Sequence, residues 1–189
     1  MKSPVNFLSV CLIPFLSFIG ISLTLPASVA YQVSSLPTEL DGVKSVFTKY
    51  VSVYGLHVLA SSNVSDAKVI HTANVLAEYL DNNEDGIIDQ YDVLQKLLGN
   101  SSSEIATMVL FASESEQNSL VNDESIFENT LSRAQNLFAD EIFENGSSGD
   151  DRDATLEEVL HLVTDKGWDE ALPDTWGERQ GSAIAGAMD

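Results

Sequence analysis

Asp81-Asn-Asn-Glu-Asp-Gly-Ile-Ile-Asp-Gln-Tyr-Asp92 is a polar stretch set between two segments with helical apolar spacing. Counted from Asp81, its first, third, fifth, ninth and twelfth places are Asp81, Asn83, Asp85, Asp89 and Asp92, and the backbone carbonyl of Ile87 stands at the seventh. All are oxygen donors, at the spacing by which a single loop wraps a hard divalent cation. Gly86 holds the sixth place, where such a loop must turn through backbone angles that glycine adopts at little cost. Ile88, at the eighth, offers an apolar side chain with which the loop can pack onto its own flanks.

Those flanks read as helices. Ser65 is a good N-cap, Val64 and Val69 are spaced as a staple across it, and Val69, Ala73, Leu76, Ala77 and Leu80 form one apolar face. After the loop, Tyr91, Val93, Leu94, Leu97 and Leu98 make a second helix that Gly99-Asn-Ser-Ser-Ser103 ends. The whole segment, about 65–99 and roughly a sixth of the chain, resembles the calcium loop of the EF-hand family with its entering and exiting helices. The resemblance implies a calcium ion held by Asp81, Asn83, Asp85, Ile87, Asp89 and Asp92. The last place departs from the family, which usually ends in glutamate. Asp92 is one methylene shorter, so bidentate capture is harder, affinity is expected to weaken, and magnesium becomes a rival occupant.

The N-terminus reads as a targeting segment: Lys2, an apolar run Phe7 to Leu25, then Pro26-Ala-Ser-Val-Ala30 with small residues at Ser28 and Ala30. Residues 1–30 are therefore expected to be a signal peptide removed after Ala30, leaving a secreted or extracytoplasmic chain that begins at Tyr31. An uncleaved membrane anchor is the alternative, because the apolar run approaches a span in length. The one cysteine, Cys11, lies in this segment, so the exported form is cysteine-free and cannot depend on disulfides. Asn63, Asn100 and Asn145 begin glycan-acceptor triplets.

The chain holds 29 acidic residues against 9 Lys and Arg, a formal charge of −20, and loss of the leader removes one more cation. Such a surface repels nucleic acid and anionic membranes and suits cations or basic partners. Residues 31–189 suffice for a single acidic domain. Leu36 to Tyr50 is expected to hold a short amphipathic helix with Leu40, Val43, Val46 and Phe47 inward. Val51–Ala60 reads as a strand with a bulge at Gly55, which puts His57 on the side of Val51, Val53 and Leu59. His71 falls opposite the apolar face of its helix, with Asn74 and Glu78, as a solvated histidine. Residues 105–112 are expected to form a buried strand, 115–134 a polar helical region with Ile126, Phe127 and Leu131 inward, and 137–143 a weaker strand. A second calcium loop read from Ser147 fails, since Gly149 stands at the third place and Arg152 at the turn. Trp168, Trp176, Pro173 and Gly177 lie in an irregular segment, and the small-residue helix from Ser182 to Met188 leaves open a domain that continues past Asp189.

A second cluster lies on Thr155-Leu-Glu-Glu-Val-Leu-His-Leu-Val-Thr164, with Leu156, Val159, Leu160 and Val163 on one face and Glu157, Glu158 and His161 on the other. Glu157 and His161 are one turn apart, the separation of the two histidines in the zinc-protease helix H-E-x-x-H. The cluster is thus similar to a zincin helix in which glutamate replaces the first histidine, which implies zinc on Glu157 and His161 and Glu158 as base. No third ligand is evident. The same residues also fit a capping box, Thr155 at the helix start and Glu158 reaching back to its amide.

The fold class expected is α+β, with about three strands, surrounding helices and one helix-loop-helix inserted between the first two strands. Two functional readings stand. The first is an exported calcium-binding protein with a structural ion; the alternative is a metal-dependent hydrolase using the 157–161 helix. In a third, an acidic interaction module, neither site acts. Helices bearing His-Thr-Ala-Asn and Leu-Glu-Glu-Val-Leu-His around an acidic loop also resemble a set of exported proteins.

Overall fold

The computed structural model describes residues 30–121, 125–146 and 152–188. The leader, most of the 145–153 loop and the side chain of Ile126 lie outside them, as does the start of the rejected second loop. The fold is α+β: a four-stranded mixed sheet in the order β1-β2-β3-β4, with helices on both faces.

The first correction concerns Val51–Ala60. It is a hairpin: β1 (Lys49–Val53) and β2 (Leu56–Ala60) pair antiparallel around Tyr54 and Gly55. Both turn residues have positive φ, 51° and 91°, the backbone that lets a two-residue turn match the twist of its strands. A glycine at the second turn position looks, in sequence, like a glycine at a bulge. Pairing sets Val51 opposite Val58 and Ser52 opposite His57. His57 therefore lies on the face opposite Val51 and Val53, not with them, and shares its own face with Leu59.

β3 (Thr107–Phe111) runs parallel to β2, and β4 (Ala134–Phe138) parallel to β3. Strand alternation divides the core in two. Leu56, Val58, Met108, Leu110 and Leu137 face α1 (Asp66–Leu80), α2 (Tyr91–Leu98) and later α5 (Ala154–Val163). Leu59, Val109 and Phe111 face a 3-10 turn at Thr38–Val43 together with Val46, Phe47 and Leu131. On that side lie α3 (Glu114–Leu120) and α4 (Ser125–Thr130), two short helices where sequence spacing predicts one region. The expected helix before Tyr50 shrinks to that 3-10 turn, although Leu40, Val43, Val46 and Phe47 are all buried as predicted.

The fourth strand lies earlier than 137–143, and Ala139–Glu141 is a 3-10 turn. β4 escapes a hydrophobicity reading because two of its residues are polar and satisfied by opposite faces. Gln135 donates to Glu158 of α5 at 2.6 Å, and Asn136 to Gln117 of α3 at 3.4 Å. After α5 a π turn at Thr164–Trp168 leads to α6 (Asp169–Ala171), α7 (Pro173–Trp176) and α8 (Ala183–Met188). Trp168 and Trp176 stack there with centroids 4.8 Å apart. No helix among the described residues is long and apolar enough to cross a membrane.

The connections carry one unusual feature. β2 reaches β3 over the face of α1 and α2, β3 reaches β4 over the face of α3 and α4, and both steps move the same way across the sheet. The two crossovers are therefore of opposite hand, and one departs from the right-handed rule that nearly all parallel crossovers obey. At the carboxyl ends of β2 and β3 the chain diverges to opposite faces, and the gap is closed internally: Glu116 accepts hydrogen bonds from Ser61 Oγ (2.7 Å), Asn63 Nδ2 (2.7 Å) and Ala112 N (2.5 Å). Burial works to raise its carboxyl, and those three donors outweigh it and hold it below the usual range.

His57 generates a pH prediction. Its Nδ1 meets the Tyr50 hydroxyl at 3.2 Å, while Nε2 is buried with no partner among the described residues. Burial lowers its pKa below the ordinary 6.5, against a smaller opposing pull from Glu39. The folded state thus resists a proton that the unfolded state accepts, so stability is full above about 6.5 and is lost as pH falls below it. The loss per pH unit is at most about 1.4 kcal/mol, until the folded pKa is reached. Urea denaturation at pH 7 and pH 5 should show a smaller acid loss for His57→Phe than for the wild type; equal losses would contradict a neutral buried His57.

Candidate metal centre

The loop is the middle of the β2-to-β3 crossover. Ser65 Oγ accepts from Lys68 N at 3.3 Å and starts α1, whose Val69, Ala73, Leu76 and Leu80 are buried against the sheet as the apolar spacing predicts. α2 buries Val93, Leu94 and Leu97 and stops at Gly99, where any Cβ would strike the backbone of Glu104. The helix-loop-helix therefore lies between the second and third strands, one strand later than expected, because the hairpin adds one.

Within the loop Asp81, Asn83, Asp85 and Asp89 each hold a backbone N–H across the turn. Asp81, only 4% exposed, accepts from Gly86 N on Oδ2 at 2.8 Å and from Asp85 N on Oδ1 at 3.2 Å. Asn83 Oδ1 also takes Asp85 N (3.0 Å), Asp85 Oδ1 takes Ile87 N (2.8 Å), and Asp89 Oδ2 takes Asn82 N (2.9 Å). Gly86 has φ 81°, as its sixth place requires. Asp89 N closes the loop onto Leu80 O at 2.9 Å, and Ile88 packs onto the core while Ile87 is 70% exposed. Asp92, in the first turn of α2, is exposed.

Among the described residues, no Lys, Arg or His forms an ion pair with any of the four loop aspartates. Nor are three or more His, Cys, Asp or Glu side chains gathered as a metal-holding group. In this conformation the carboxylates engage backbone donors, and Asp92 stands apart on its helix. The donor set, oxygen throughout and rich in carboxylate, fits calcium or magnesium and lacks the nitrogen or sulfur ligands typical of zinc.

A contact from outside the segment was not legible in sequence. The Tyr54 hydroxyl, from the hairpin turn, donates to Asp81 Oδ2 at 3.1 Å. Burial first, then this hydrogen bond and the charge of Asp81, push its phenol up to about 12.

The second cluster is arranged otherwise than predicted. Asp153, not Thr155, caps α5, accepting Thr155 N at 3.1 Å, so Thr155 lies inside the helix and the capping box does not form. Glu158 Oε2 instead accepts from Gln135 at 2.6 Å and stands 3.5 Å from His161 Nδ1, while Glu157 and His161 are exposed. The buried face carries Thr155, Val159, Leu162 and Val163; Leu156, expected inward, is 52% exposed. Glu157 and Glu158 line a cleft of about 900 Å³ between α1 and α5, whereas His161 lines a different groove beside Trp176.

His71 also corrects the sequence reading. It is half-buried on that cleft, with Nε2 2.6 Å from Asp153 Oδ2. Asp153 thus serves as helix cap, as partner of His71 and, at 3.3 Å, as acceptor for Phe143 N. Burial works to raise its carboxyl, but hydrogen bonds from Thr155, His71 and Phe143 prevail and hold it below the ordinary 3.8.

Asp153→Ala should therefore cost about 2–3 kcal/mol, a lost cap plus lost partners, and clearly more than Thr155→Ala. Because its folded pKa is depressed, Asp153's contribution is complete above about 3.8 and fades as pH falls through the lower folded value. Chemical denaturation of both variants measures this; equal losses would return the cap to Thr155.

Comparisons with family models, curated proteins and solved structures found no match for this chain, so its function is argued from the site itself.

Proposed function

We propose that the protein is an exported calcium-binding protein in which residues 81–92 hold one structural ion, with Asp81, Asn83, Asp85, Asp89, Asp92 and the carbonyl of Ile87 as ligands. The observation that carries this reading is Asp81: a carboxylate nearly removed from water at the head of a loop whose aspartates form no ion pair with a Lys, Arg or His among the described residues. Four carboxylates on one twelve-residue loop repel unless a cation intervenes, and the positive φ of Gly86 supports the reading.

The role follows from affinity. Extracellular modules bind calcium at about 10⁻⁴–10⁻³ M, so near millimolar calcium such a site is occupied continuously and cannot report a pulse. Its effect is on stability: at ten times the dissociation constant, linkage supplies about 1.4 kcal/mol. Magnesium occupies the same loop more weakly. The alternative, zinc on Glu157 and His161 with Glu158 as base, draws support from the proximity of Glu158 and His161, but the cleft and groove divide its residues.

Metal analysis of purified protein separates the two readings: calcium alone supports the first, stoichiometric zinc the second. Melting temperature should rise with calcium and less with magnesium, and Asp81→Ala should erase the rise and also melt lower in chelator, because Tyr54 OH, Asp85 N and Gly86 N lose their acceptor. Identical melting of the wild type in chelator and in millimolar calcium, with no binding heat, would exclude the calcium site.

A further inference from the structure

We propose that Tyr54 is a positioning residue for this site: from the β1–β2 turn its phenol orients the first ligand, Asp81, and ties the hairpin to the ion. The inference rests on the calcium reading of residues 81–92.

The two oxygens of Asp81 are engaged unequally. Among the described residues Oδ2 is engaged twice, by Gly86 N at 2.8 Å and Tyr54 OH at 3.1 Å, whereas Oδ1 receives only Asp85 N at 3.2 Å. The oxygen with capacity to spare is therefore Oδ1, and the donors on Oδ2 determine which oxygen the carboxylate presents to an ion. A phenol suits this task because it donates a hydrogen bond without bringing a positive charge that would compete with the cation, as a lysine would. Outer partners of this kind fix the geometry of metal ligands, and their loss typically weakens metal binding about 10–100-fold.

The turn itself points to the side chain. Tyr54 has φ 51°, a backbone region in which asparagine and glycine are at home and bulky residues are rare. A tyrosine here is unsuited to the turn and well placed for the loop. The next residue touches the other end of the motif: a Cβ at Gly55 would lie 3.1 Å from Leu98 of α2. The two turn residues thus meet the first ligand at the end of α1 and the last residue of α2, so the hairpin braces both helices that flank the loop.

Calcium calorimetry on the full chain tests the proposal, with melting in chelator measured alongside. Tyr54→Phe, which keeps the ring, should raise the calcium Kd about tenfold or more. Tyr54→Asn, which suits the turn but cannot reach Asp81, should weaken calcium equally while melting in chelator no lower than Tyr54→Phe. Tyr79→Phe, which removes a phenol donating to Leu156 O at 3.2 Å, should leave the Kd unchanged. Wild-type binding with a Kd within twofold of both Tyr54 variants would overturn the positioning role alone. A Kd raised as much by Tyr79→Phe would also overturn it, since any lost phenol would then suffice. Absence of binding heat in the wild type would overturn it together with the calcium reading.

Discussion

A carboxylate taken out of water must be met by hydrogen-bond donors or by a cation, and Asp81 is the place where this chain accepts that constraint. It ends α1, begins the loop, and is met by two backbone amides of the loop and one phenol from the hairpin. The amides come from the turn of the loop and the phenol from the hairpin, so the end of α1, the turn at Gly86 and the hairpin at Tyr54–Gly55 are tied together through a single side chain. Asp85 and Asp89 repeat the arrangement on a smaller scale, each holding an amide across the turn. The result is a loop shaped by its own hydrogen bonds, whose aspartates have no Lys, Arg or His paired to them among the described residues.

The same segment has a topological duty. Parallel strands need a long connection, and between β2 and β3 that connection is α1, the loop and α2. A loop that loosens would therefore free the two helices covering one face of the sheet, so the ion proposed there would bear on stability as a whole. On the opposite face α3, α4 and the 3-10 turn at Thr38–Val43 cover Val109 and Phe111, and the reversed hand of one crossover makes the two sides inequivalent. α5 closes the first face by pairing its cap, Asp153, with His71 of α1.

Sequence periodicity carried the reading wherever one face of a helix or strand is uniformly apolar: α1, α2 and β3 lie where their spacing puts them, and Gly86 and Ser65 play their expected local roles. It failed where polar residues are satisfied by distant partners. Gln135 and Asn136 hid β4, since nothing local reveals that Glu158 and Gln117 lie above and below them. His71 and Asp153 are 82 residues apart and meet only after α5 docks. Tyr54-Gly55 carries a signal for a turn, positive φ at glycine, that serves a bulge equally well, and choosing wrongly moved His57 to the wrong face. Thr155 and Glu158 match a capping box, but an aspartate two residues earlier takes the cap. The candidate ligands were legible because their pattern is local; the tyrosine on the first of them was not.

The claim that residues 81–92 form a calcium site organised on Asp81 is tested most directly by amide hydrogen exchange, residue by residue, in chelator and in millimolar calcium. Calcium that binds this loop should slow exchange at Asp85, Gly86 and Ile87, whose amides bond to Asp81, Asn83 and Asp85, and the slowing should saturate at one ion per chain. Exchange at these three amides that is the same with and without calcium would contradict the account.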